Sequence, residues 1–138
     1  IRDWSQVGGK EGRIRVVSRD SSSGTYHIWH KKVIVHEEIT RDALLQGTNG
    51  TMVVAVAENP RSIGYLSYGY INKSLKPLSV DGVYPTIQNG KNGTYPISRK
   101  LYMYADKKRL KNEAAQFIDF VVSEKGQELI SEAGYIPL

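Results

Sequence analysis

The run Val16-Val17-Ser18-Arg19-Asp20-Ser21-Ser22-Ser23-Gly24-Thr25-Tyr26 holds the residues whose types and spacing could do chemistry. The first turn of a helix leaves backbone N–H groups unpaired at the positive end of its dipole, so it attracts an anion without any Lys. Ser23 and Thr25 add hydroxyl donors, and Gly24 has no Cβ to hold an oxyanion off the backbone. Arg19 can present its planar fork to two oxygens of a tetrahedral anion. Those are the parts needed to hold phosphate or sulfate. The same residues also suit a plain capped helix with Arg19 paired to Asp20, and the pattern alone leaves both readings open.

Other constellations are weaker. Val7-Gly8-Gly9-Lys10-Glu11-Gly12 is glycine-rich but leads into a strand, whereas a phosphate-cradling loop must open a helix and end in GK[ST]. His27 and His30 have a spacing that can chelate a metal, with His36 further on, yet no third ligand is placed, so solvated histidines are expected. Ser23 followed one turn later by His27 lacks a G-x-S-x-G elbow and an acid to orient the imidazole. No catalytic residue, metal ligand or cofactor is assigned. Asn49-Gly50-Thr51, Asn72-Lys73-Ser74 and Asn92-Gly93-Thr94 match the N-glycosylation acceptor pattern, which is short and common by chance.

The elements that must position these groups follow from apolar period and breakers. Arg13 to Ser18 alternates and predicts a strand, broken by Ser21 to Gly24, with a helix from Thr25 to Val35. Thr40 is expected to cap a short helix through Leu45, and Thr48 or Asn49 another through Ala57, ended by Asn59-Pro60. Strands are predicted over Ser62–Tyr68, Leu75–Val80 and Arg99–Ala105, with Asp81-Gly82 as a turn and Gln88 to Gly93 as a surface loop. Leu110, Ala114, Phe117, Ile118 and Val121 share one helical face. Ser123 suits the cap of a last helix, with Gly134 as its left-handed stop. Helices and strands mixed in this order make the fold class α/β.

The chain has 138 residues, 40% of them hydrophobic and 24% charged, which argues for a folded chain with a real core. Its longest apolar run, Met52 to Ala57, is far short of the roughly 20 residues that span a bilayer. Cys is absent, which excludes disulfides, thiolate metal sites and a Cys nucleophile. The sequence opens at Ile1 without an initiator Met, as a mature form or a piece of something longer would. Lys and Arg number 19 against 14 Asp and Glu, an excess that points to anionic partners in general. A nucleic-acid-binding domain is the reading from a different class, but no aromatic-interleaved basic stripe or recognition helix is visible, so no nucleic-acid partner is expected.

Several segments together resemble the phosphate-binding proteins that serve ABC phosphate transporters, two-lobed receptors of the Venus-flytrap type. Ile1-Arg2-Asp3-Trp4 followed by Val7-Gly8-Gly9 is similar to the family's I-x-x-W…GG approach, and Arg19 with Ser23-Gly24-Thr25 to its R-x-x-x-S-G-T anion motif. Asn59 to Tyr65 resembles its P-x-x-I-G-Y strand, and Gly82 to Thr86 with Gly93 to Tyr102 its G-v-x-P-T…Y-P-x-x-R-x-L-Y stretch. Phe117 to Gln127 and Gly134 to Leu138 are similar to the family's C-terminus.

The resemblance implies one lobe of a type II periplasmic-binding-protein fold plus the family's C-terminal helices. Residues 1–98 would be the second lobe, carrying the anion motif. Residues 99–138 would be the return crossing strand and helices that pack on the first lobe. It further implies a non-enzymatic, extracytoplasmic protein, in the periplasm or at the cell surface, anchored to the membrane through the absent N-terminal part if at all. That protein would bind inorganic phosphate for an ABC importer through Arg19, Ser23, Gly24 and Thr25. Its partners would be phosphate, the transporter's permease subunits, and either the N-terminal lobe or a second copy of the chain. Another tetrahedral oxyanion, bound or sensed on the same fold, is the alternative. In many relatives a carboxylate two residues after the Arg steadies its guanidinium; here that position is Ser21, and Asp20 is adjacent instead. The N-terminal lobe, whose acidic acceptor takes a proton from phosphate, lies outside the resemblance.

Overall fold

Strand β1, Arg15–Arg19, is the centre of a three-stranded parallel sheet, flanked by β2, Leu44–Gln46, and β3, Ser62–Gly64. Val17 pairs with Leu44 and Arg19 with Gln46 on one side; Arg15 pairs with Ser62 and Val17 with Gly64 on the other. Successive residues of β1 face opposite ways, yet Val17 and Ser18 are both fully buried. A parallel strand covered on both faces has that property. Parallel neighbours also need crossover connections. The first is α1, Gly24–Trp29, continued by a π-helical turn over His30–Ile34; the second is α2, Asn49–Ala57. The computed structural model describes residues 1–138 and divides them into two units, Ile1–Pro77, which contains the whole sheet, and Leu78–Leu138.

Helix α2 starts where the sequence predicts. Thr48 Oγ1 accepts from Thr51 N at 3.1 Å, and the Thr51 hydroxyl accepts from Thr48 N at 3.3 Å, so each satisfies an N–H the helix start leaves open. Met52 of α2 is fully buried against the sheet. A Cβ at Gly64 would stand 2.8 Å from Met52 Cε and 3.0 Å from Val17 O, so α2 sits close over β3 only because residue 64 has no side chain. At the amino end, Asp3 caps a 3-10 turn over Trp4–Val7, and Trp4 Nε1 donates to Arg61 O at 2.9 Å, tying this approach to the start of β3.

The second unit holds α3, Ile87–Lys91, α4, Asn112–Val122, and α5, Glu124–Glu132. Ser123 ends α4 and caps α5. Its hydroxyl donates to Phe120 O at 2.6 Å and accepts from Gly126 N at 3.2 Å, and a Cβ at Gly126 would collide with Phe120 O. Gly134, at φ 83°, is the expected left-handed stop. Lys91 Nζ donates to Leu138 O at 2.5 Å.

Several elements differ from expectation. Thr40 does not cap a helix: Ala43 N returns to Thr40 O as a turn, and Leu44–Gln46 become β2, since pairing with β1 outweighs a weak local helical preference. The predicted strand over Ser62–Tyr68 is cut to Ser62–Gly64, followed by a 3-10 turn at Tyr68–Tyr70. Leu75–Val80 forms no strand; only a Val80–Val83 bridge closes the turn at Asp81, φ 50°, and Gly82, φ 78°. Gln88 to Gly93 is mostly helix, because Thr86 Oγ1 accepts from Asn89 N at 3.0 Å and starts α3. Arg99–Ala105 has the alternation of a strand but no strand to pair with, and Leu101, Tyr102 and Tyr104 are exposed. Within the second compact unit, residues 78–98 make bonds of their own, such as Tyr95 to Asn89 and Leu78.

Candidate functional site

Arg19 ends β1 with only 9% of its surface exposed. Its Nε donates to Gln46 O at 3.2 Å, its Nη2 to Gly47 O at 2.8 Å and its Nη1 to Asn49 Oδ1 at 3.0 Å. The β1–β2 register that sets Arg19 beside Gln46 makes the first two bonds available. Three neutral acceptors therefore hold a full positive charge, and each terminal nitrogen keeps a second N–H beyond these bonds. The expected alternative, Arg19 paired with Asp20, is not what the chain does. Asp20 accepts from Ser22 N at 2.9 Å and from the Ser22 hydroxyl. Those two bonds hold its carboxyl below the ordinary carboxylate range, with Arg19 a lesser cause.

A second line of polar groups runs from Arg19 to Thr25. Asn49 Oδ1 also accepts from Ser67 N at 3.3 Å, Asn49 Nδ2 donates to Ser67 Oγ at 3.2 Å, and Ser67 Oγ lies 3.2 Å from Thr25 Oγ1. Below the guanidinium, Ser18 Oγ donates to Arg19 O at 3.0 Å and stands 2.8 Å from the Tyr65 hydroxyl. The single Ser18 proton being spent, Tyr65 donates to Ser18, and its oxygen accepts from Arg19 N at 3.3 Å. Burial pushes the Tyr65 phenol up, outweighing its bond to Ser18, so it stays neutral at ordinary pH. Its ring stacks on Trp29, centroids 4.6 Å apart and planes 5° from parallel, which ties the end of β3 to α1.

Ser23 has a double task. Its Oγ accepts from Thr25 N at 3.2 Å and Tyr26 N at 3.3 Å, so it caps α1 and occupies two of the N–H groups expected to face an anion. What remains without an acceptor in the chain is the Ser23 proton, the Gly24 N–H and one hydroxyl proton of the Thr25–Ser67 pair. A cavity of about 260 Å³ borders Arg19 and is lined also by Asp20, Tyr26, Thr40 and Arg41; Ser23, Gly24 and Thr25 are not among its lining residues. His27 and His30 each lie 5.7 Å from the Tyr26 ring, and no group of three His, Asp or Glu is arranged to hold a metal. No helix is long and apolar enough to cross a membrane.

Sequence reasoning places Arg19, Ser23, Gly24 and Thr25 at one end of one strand, and the structure does the same. It misses Asn49, Tyr65, Ser67 and the carbonyls of Gln46 and Gly47. Asn49 reads as a helix start or a glycosylation acceptor, and nothing in its spacing points 30 residues back to Arg19. Ser67 carries no pattern at all.

The pieces gather where the topology requires. With strand order β2-β1-β3, the connection from β1 runs out to β2 and the one from β2 returns across β1 to β3, and open α/β sheets bind ligands outside the carboxyl ends of their strands. Arg19 ends β1 and Ser23–Thr25 follow it, Asn49 follows β2, and Ser67 follows β3. The fold and site thus define an α/β unit with polar groups gathered at the carboxyl ends of its parallel strands. Residues 1–125 match the PBP superfamily domain, and the chain belongs to that family.

Among curated relatives, the chain is 35% identical to the phosphate-binding protein PstS of Borreliella burgdorferi, over 99% of its own length and 53% of the relative's. It is 32% identical to PstS of Bacillus subtilis, over 100% of its length and 46% of the relative's. Among solved structures it superposes on a putative phosphate ABC transporter substrate-binding protein with bound phosphate from Clostridium perfringens. That match has a TM-score of 0.86 at 31% identity and covers the whole chain and 57% of the other. An ABC-type phosphate transport receptor from Vibrio cholerae gives 0.85 at 30%, covering 58% of that structure. The chain therefore spans about half the length of the relatives it matches.

Proposed function

We propose that this chain is the second lobe of an extracytoplasmic receptor that binds inorganic phosphate for an ABC importer. The observation that carries this reading is a nearly buried Arg19 guanidinium fixed by neutral acceptors at the carboxyl end of the central strand. A charge held so cannot relax toward water or toward a carboxylate of its own, so an anion is its natural counterpart. Likeness to proteins named for phosphate binding and transport supports phosphate as that anion.

In this role Arg19 supplies charge and two N–H groups, while Gly24 N–H, the Ser23 hydroxyl and Thr25 supply shorter-range donors. None of these groups is a nucleophile or general base facing a reactive bond, and the role is binding without chemistry. A first lobe would close over the opposite side by hinge motion and complete the donor shell. Residues 99–138 would carry the return crossing and helices whose exposed Phe117 and Phe120 that lobe, or failing it a second copy of the chain, would cover. The transporter's permease subunits would receive the loaded receptor.

Calorimetric titration of phosphate and sulfate against the full-length protein tests the reading, repeated from low to high salt. Saturable phosphate binding with a shallow salt dependence is expected, because a closed site is screened little. Binding that collapses steeply with salt and prefers polyanions would replace this reading with a nucleic-acid one.

A further inference from the structure

We propose that Asn49 and Ser67 are positioning residues of the anion site: Asn49 aims the Arg19 fork without neutralising it, and Ser67 holds the Thr25 hydroxyl so that one proton of the pair faces the ligand. The proposal rests on the phosphate reading above. Asn49 Oδ1 accepts from both Arg19 Nη1, at 3.0 Å, and Ser67 N, at 3.3 Å. Rotating the amide by half a turn would set its NH2 against two donors, so its orientation is fixed. Asn49 Nδ2 must then donate to Ser67 Oγ, 3.2 Å away.

The proton count at Ser67 follows. Ser67 Oγ has accepted one hydrogen bond and lies 3.2 Å from Thr25 Oγ1. If Ser67 donates to Thr25, the Thr25 proton is left over; if Thr25 donates to Ser67, the Ser67 proton is left over. In either case one hydroxyl proton has no acceptor within the chain and is free to donate to an oxyanion. A carboxylate at position 49 could hold Arg19 as well or better, but it could not donate to Ser67.

The test is a set of variants in the full-length protein, with inorganic phosphate titrated by calorimetry and melting followed for each. Ser67→Ala is expected to weaken phosphate binding about tenfold, the loss of one oriented hydrogen bond. In a Thr25→Val background the same change should cost less than about twofold, because the two act as a unit. Ser67→Thr, which keeps the hydroxyl, should restore affinity. Asn49→Ala should weaken phosphate by about tenfold at temperatures where the variant is fully folded, since the Arg19 fork loses the acceptor that aims it. A purely structural Asn49 would instead lose affinity only in step with stability. Equal losses from Ser67→Ala in both backgrounds, no rescue by Ser67→Thr, or parent-like phosphate binding by Asn49→Ala would each overturn the proposal. Parent-like binding by Arg19→Ala would instead remove the phosphate reading itself, and this inference with it.

Discussion

Replacing Arg19 by Ala removes groups with two separate duties, and the structure lets their magnitudes be worked apart. Three N–H groups satisfy Gln46 O, Gly47 O and Asn49 Oδ1. One further N–H on each terminal nitrogen is left for the anion. Charge-assisted hydrogen bonds are worth about 1.5–3 kcal/mol each, so losing both should cost about 3–6 kcal/mol of phosphate affinity. That corresponds to roughly two to four orders of magnitude in Kd. Stability should fall by a smaller amount, about 1–3 kcal/mol, because Gln46 O keeps its bond from Asp20 N and the exposed Gly47 can recruit water. Arg19→Lys should recover only part of the affinity, since an ammonium cannot bridge two carbonyls and an anion in one plane. Isothermal titration of phosphate into the full-length protein gives the first quantity and a melting curve the second. An Ala variant that binds phosphate within threefold of the parent would refute the assignment, however stable it proved.

Thr25→Val should weaken phosphate binding by about 1–3 kcal/mol in the same titration and leave the melting temperature nearly unchanged, because it removes one hydroxyl and keeps the branched shape. Gly64→Ala should destabilise the first unit by about 1–3 kcal/mol in a denaturant titration, since the new methyl meets Met52 Cε and the Val17 carbonyl in a packed layer. Asp3 and Asp20 both have carboxyls held below the ordinary value, by bonds from Ser5 and Ser22 first of all. Their contribution to stability is present above the unfolded-state value and is lost as pH falls through the lower folded-state values. Melting temperature recorded down through the acid range should therefore drop less for Asp20→Asn than for the parent; parallel curves would show that the Asp20–Ser22 bonds contribute nothing.

The sequence by itself determined the parts whose signals are local. Thr48 and Ser123 mark helix starts because a hydroxyl there satisfies N–H groups within three residues, and Gly134 marks a stop because its φ of 83° suits a residue without a side chain. Arg19 and Ser23-Gly24-Thr25 were legible for the same reason: a strand end, a turn and a helix start lie within one short run. Elements that need a distant partner were not. Leu44–Gln46 is a strand only because β1 lies beside it, while Arg99–Ala105, with the better strand pattern, pairs with no strand and takes no regular structure, with Tyr104 90% exposed. What holds Arg19 belongs to the same class. Asn49, Ser67 and two backbone carbonyls reach it because three strands end together, and hydrogen bonds made across that junction depend on register and crossover, which no spacing along the chain records.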